Sequence, residues 1–161
     1  MAQETDGRWY RWLLIGWLVA GTLDITYACG FSYLRSGTAP TRVLQYVASG
    51  ALGPASFQGG MLTALAGLGF HYLNAFLFTV FFFLVAPKVP WAIERPVLYG
   101  AIYGVGIYLV MNYAVVPLSR IGPRPTPALL TWTTGVLVHM FLIGVPIAMA
   151  AKQALAKTTG R

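Results

Sequence analysis

The chain has 161 residues, of which 57% are hydrophobic and only 9% charged, and it carries a formal net charge of +7. A water-soluble domain holds about a quarter charged residues, so these proportions, with a mean hydropathy of +0.66, exclude an ordinary soluble enzyme and place the protein in a membrane. The basic residues are spread along the chain with no continuous patch, which excludes nucleic acid as a partner and reads as anchoring to lipid headgroups.

Four long apolar runs follow in order: Trp9 to Leu34, Met61 to Ala86, Val97 to Pro117 and Leu129 to Ala151. Each is near the ~20 residues that a helix needs to cross about 30 Å of hydrocarbon. The first is too long for the apolar stretch of a cleavable signal and lacks an A-x-A site, so it is expected to stay as a span. The predicted fold is all-α: four transmembrane helices in an up-and-down bundle, one membrane domain over residues 1–161, with connections too short for a soluble domain.

The connections differ in character. Residues 35–60, "RSGTAPTRVLQYVASGALGPASFQGG", open a helical pattern at Pro40 and space Val43, Leu44, Val47, Ala51 and Leu52 by three and four, before Gly53 and Pro54 stop it. This predicts a short helix lying at the outer interface, too short to span. "PKVPWAIERP" is short and bounded by prolines, which forces spans two and three into an antiparallel hairpin. "SRIGPRPTPALL" holds Gly122, Pro123, Pro125 and Pro127 and is predicted to be extended and stiff.

Basic residues orient the spans. One side holds Arg8, Arg11, Lys88, Arg95, Lys152, Lys157 and Arg161, against Arg35, Arg42, Arg120 and Arg124 on the other. The positive-inside rule therefore puts both termini in the cytoplasm, and Trp9, Tyr10, Trp12 and Trp91 at the inner headgroup level agree with it.

Polar residues within the spans are few enough to place one by one. Counted from the span ends, Asp24 and Asn112 each lie about 15 residues in, near 22 Å from the inner side, while His71 and His139 each lie about 10 residues in from the outer side, roughly 15 Å. Asn74 follows His71 on the next turn, in "GFHYLNAFLF". Gly67 precedes His71 by four, as Gly135 precedes His139, so G-x-x-x-H recurs at one depth in two helices of the same direction. This register reads either as a tandem duplication of one hairpin, with two halves related by an axis along the membrane normal, or as coincidence in a low-complexity apolar background. In an up-and-down bundle spans two and four are diagonal. His71 and His139 are then expected to face each other through the core, with Asp24 and Asn112 facing each other one or two turns outward.

That cluster of Asp24, His71, Asn74, Asn112 and His139 admits several readings. It can join helices by hydrogen bonds in a medium that gives them no hydrophobic reason to associate. It can carry protons or ions, with Asp24 titrating and the histidines relaying. It can hold haem b between His71 and His139, each glycine leaving room for the macrocycle. No other cofactor and no metal site is suggested, because Cys29 stands alone and reads as a small buried residue. At the outer face Arg35, Arg42, Arg120 and Arg124 have no nearby acids, which suits contact with anionic lipid headgroups or plain solvation. No G-x-S-x-G, H-E-x-x-H or phosphate loop points to catalysis.

A four-span pattern with "HYLNAFLFTVFFF" in span two, and "YLVMNYAVVPLS" running into a Pro-rich loop, resembles small uncharacterised bacterial inner-membrane proteins, more distantly the YagU-like group. The resemblance implies a bacterial inner-membrane location and brings no chemistry with it. Gly100 and Gly104 form G-x-x-x-G in span three, with Gly106 beyond, a surface for close helix contact within one chain or between two. The expectation is a binding, scaffolding or accessory membrane protein whose partners are lipids and a homo-oligomer or larger membrane complex. The alternatives are a proton- or ion-linked transporter or channel subunit using Asp24, and a b-type haem protein.

Overall fold

A computed structural model of the chain describes residues 2–156, with side chains from Gly7 onward. Lys157 and Arg161, two of the basic residues used for orientation, lie outside the described residues. No strand occurs among the described residues. Helix α1 (Ala2–Ser36) is followed by α2 (Pro40–Leu52), α3 (Gly60–Val85), the short α4 (Pro90–Glu94), α5 (Pro96–Leu118) and α6 (Leu129–Leu155). Segments within α1, α3, α5 and α6 are long and apolar enough to cross a membrane, so this is a multi-pass membrane protein with an all-α bundle.

The half of the bundle that carries the chain termini is closely packed. Small residues let the backbones meet: a Cβ on Gly16 of α1 would stand 2.8 Å from that of Ala150 on α6. Ala20, Phe83, Ile147, Ala148 and Ala151 are fully buried around this crossing. Gly100 and Gly104 lie against the backbone of α6 at Gly144 and His139, so this G-x-x-x-G serves packing within the chain.

Toward the other end the helices separate. Helix α1 packs mainly on α6 beyond its first ten residues, and α3 approaches α6 chiefly at the terminal end. Backbone contact between α3 and α5 is sparse. They meet through Tyr103, whose hydroxyl donates to the Phe78 carbonyl at 2.7 Å and whose ring centroid lies 4.9 Å from that of Phe82.

Helix α2 covers this open end. It starts at Pro40, and Gly53, at φ 74°, ends it before Pro54. Its buried face differs from the one that apolar spacing suggests. Gln45, Ala48 and Ser49 are buried, whereas Ala51 and Leu52 are exposed. The cause is the crossing with α3, where Gly67 leaves no room for a Cβ beneath the Leu44 carbonyl. Only small or hydrogen-bonded residues fit so near a backbone. The Gln45 amide accordingly donates to the Gly60 carbonyl at 2.9 Å, and Ser49 to that of Tyr46 at 2.6 Å.

Two π turns interrupt the last two spans, Met111–Val115 in α5 and His139–Gly144 in α6. Each lies just before a proline, Pro117 or Pro146. A proline has no N–H to donate, and its ring clashes with the carbonyl four residues back, here that of Tyr113 or Leu142. Widening the turn relieves the clash. Asn112 and His139 both belong to these widened turns.

Candidate intramembrane binding site

The separated half of the bundle encloses a cavity of about 940 Å³, walled by all four spans, by α2 and by the Pro-rich loop. Asp24, His71, Asn74, Asn112 and His139 all line it. The fold collects these five side chains around a single space.

Their partners are less symmetrical than register suggests. His71 Nε2 lies 2.8 Å from the Gly21 carbonyl on α1. A carbonyl only accepts, so the proton sits on Nε2 and leaves Nδ1 free. Asp24 Oδ2 lies 4.0 Å from that Nδ1, too long for a hydrogen bond. A proton on Nδ1 or on the carboxyl would give this pair the donor that a hydrogen bond needs. Both remain open to the cavity, with 12% of the His71 and 24% of the Asp24 side chain exposed. Asp24 thus stands beside His71, and Asn112 has other company.

Asn112 sits within the α5 π turn, where its amide donates to the Tyr108 carbonyl at 2.9 Å. Its Oδ1 accepts from Arg124 at 3.1 Å. The same guanidinium donates to the Tyr46 hydroxyl at 2.7 Å and lies 5.7 Å from that ring. Arg124 therefore ties the Pro-rich loop to α2 and to α5 at the rim. Asn74 donates to the Phe70 carbonyl of its own helix at 2.9 Å.

His139 Nδ1 lies 2.8 Å from the Gly135 carbonyl, one turn back on α6, which leaves Nε2 free. The Tyr108 ring stands edge-on to the imidazole at 5.2 Å. The glycines one turn before each histidine have different neighbours. Gly67 takes the α2 backbone, and Gly135 takes the Tyr108 ring, 2.8 Å from a Cβ built there. Protein groups fill that clearance.

The other arginines of this end spread apart. Arg35 donates to the Thr131 hydroxyl, joining the end of α1 to the start of α6, and lies 5.8 Å from the Phe31 ring. Arg42 donates to the Phe57 carbonyl at 3.2 Å with its guanidinium 4.3 Å from that ring, and it does not line the cavity. The Arg120 amide donates to the Gly50 carbonyl at 2.9 Å, fastening the loop to α2. None of these partners is an acid. Between Asp24 and Glu94, and after Glu94, the chain has no Asp or Glu at all.

Trp17, Tyr46, Tyr72 and Tyr108 carry no prior signal in the sequence. Trp17 Nε1 donates to the Tyr72 carbonyl at 2.7 Å, and the Thr22 and Tyr72 hydroxyls share a hydrogen bond of 2.8 Å. With His71 these bonds stitch α1 to α3 beside Asp24. Tyr46 and Tyr108 complete the wall. Aromatic residues are so common in these spans that only a tertiary partner distinguishes them. No family model matches the chain, and neither a curated relative nor a solved structure matches it.

Proposed function

We propose that this integral membrane protein is a binding protein that holds a small amphipathic molecule in the cavity between its spans. What supports the reading is the convergence of Asp24, His71, Asn74, Asn112 and His139 on one space of about 940 Å³. Its size is that of a ligand site, and a mostly apolar wall with a few convergent polar groups is the usual composition of one. Polar side chains that served only to join helices would bond across the seams. Here His71 does cross a seam, to the Gly21 carbonyl, but Asn74 and His139 bond within their own helices and join nothing while lining the space.

The proposal is tested by filling the space. Native mass spectrometry of protein extracted in mild detergent is expected to find a bound small molecule, which Ala28→Trp displaces while the melting temperature stays near that of the parent. Identical spectra for the two proteins would refute the reading.

A second reading, proton-linked movement of that molecule, is supported by the Asp24 and His71 pair, which a single proton can close. Dissipation of a proton gradient in vesicles, present in the parent and lost in Asp24→Asn, is its test. The setting proposed is a bacterial inner membrane with both termini cytoplasmic, supported by the basic bias toward the terminal side.

A further inference from the structure

We infer that the molecule taken into this cavity is an anionic membrane phospholipid, admitted sideways between α3 and α5, with its headgroup against Arg124 and an acyl chain in the seam. This rests on the reading of the cavity as a ligand site and adds the chemical class and the route.

The route follows from the seam. Tyr103 closes it toward the termini through Phe78 and Phe82. Beyond that tie, Leu73 on α3 and Tyr113 on α5 line the cavity, and yet they are 52% and 63% exposed. A side chain that forms the wall of a cavity and also faces outward stands at an opening. Leu73 lies about 20 Å along α3 from its Gly60 end, which is hydrocarbon depth for a spanning helix. What borders the opening there is acyl chain.

The class follows from charge. Arg124 is the arginine that lines the cavity, and its two hydrogen-bond partners, Tyr46 and Asn112, are neutral. They hold the guanidinium in place without cancelling its charge, and a guanidinium has five N–H donors. Arg35 and Arg120 belong to the same end of the bundle, and the outer loops contain no carboxylate. Asp24, the one acid of the cavity, stands about 16 Å below Arg35 along α1. A phosphodiester at the rim would therefore meet fork-shaped donors suited to it and no opposing charge nearby. A phospholipid combines that anion with a chain that enters from the side.

The test is native mass spectrometry of the full-length protein titrated with phosphatidylglycerol, phosphatidylcholine of the same chains, oleate and soluble glycerol phosphate. The parent is expected to bind phosphatidylglycerol about tenfold more tightly than phosphatidylcholine and to bind glycerol phosphate negligibly. Arg124→Ala is expected to bring the two phospholipids to parity, and Leu73→Trp to slow uptake of both. Arg42→Ala removes the same charge from the same end outside the cavity and is expected to keep the preference. Equal loss in Arg42→Ala and Arg124→Ala would overturn the proposal in favour of diffuse surface attraction. Preference for oleate, or binding of glycerol phosphate alone, would overturn the lipid class. Phospholipids bound without preference but expelled by Ala28→Trp would defeat this inference and leave the cavity reading intact. No adduct under any condition would defeat both.

Discussion

A side chain on Gly144 of α6 would run into the carbonyl of Gly100 on α5, and one on Gly100 would stand 2.8 Å from the carbonyl of Gly144. Neither obstacle can yield, because both are backbone. Gly144→Ala is expected to destabilise the protein by about 1–3 kcal/mol through overpacking. Gly30 and Gly106 face open space, so alanine there should be neutral or stabilising by up to about 1 kcal/mol. Denaturant unfolding in micelles reads the contrast.

Asp24→Asn is expected to leave stability unchanged or higher, since an amide in this wall has no charge to desolvate. His71→Phe removes the bond to the Gly21 carbonyl across the α1–α3 seam, and hydrogen bonds of this kind contribute about 0.6 kcal/mol, up to roughly 1.7. The histidine variant should therefore melt lower and the aspartate variant should not. Equal losses would mean that Asp24 and His71 form one structural pair.

Much of this arrangement was legible from residue types and spacing. Apolar run length located the spans, and Pro40 with Gly53 bounded α2. The scarcity of Asp, Asn and His at depth picked out five residues, and all five lie among the many that line the cavity. Partner choice was not legible. Equal depth in an up-and-down bundle sets Asp24 opposite Asn112, but depth does not fix the helix face, and a π turn holds an extra residue that shifts it by roughly 100°. Asn112 and His139 lie within such turns. The buried face of α2 was hidden for another reason: backbone contact at Gly67 selects small residues, and hydrophobic spacing does not report it.

Pro117→Ala restores the missing N–H and removes the clash with the Tyr113 carbonyl. The π turn is expected to relax toward an ordinary helix, turning Asn112 away from Arg124. Hydrogen exchange should show greater protection over residues 111–117, with a lower affinity for bound amphiphile. Unchanged exchange would mean that contacts with α6 hold the turn open.

Tyr103→Phe deletes the hydroxyl that ties α5 to the Phe78 carbonyl, and about 0.6 kcal/mol of stability is expected to go with it. Because this tie closes the α3–α5 seam toward the termini, the variant should also release bound amphiphile faster. Stability lost without faster release would make Tyr103 a packing residue alone.

A reporter fused after Arg161 that works only in the cytoplasm should be active, and one inserted between Gly37 and Thr38 should be silent, as the basic bias requires. The reverse pattern would invert the bundle and place Arg124 at the inner leaflet.

The contrast between the two halves of the bundle makes the molecule a pair of tweezers. Alanine and glycine contacts around Gly16 and Ala150 form the fulcrum, and the arms run about 28 Å from there to the rim. A tilt of about five degrees at the fulcrum would move the tips by about 2.5 Å, enough to widen a lateral slot. At the tips the separation is held by Arg35 on Thr131 and by Arg124 on Tyr46 and Asn112. Two flexible side chains thus hold the rim alongside the Arg120 to Gly50 backbone bond, and an anion that competes for their donors would loosen the grip as it docks.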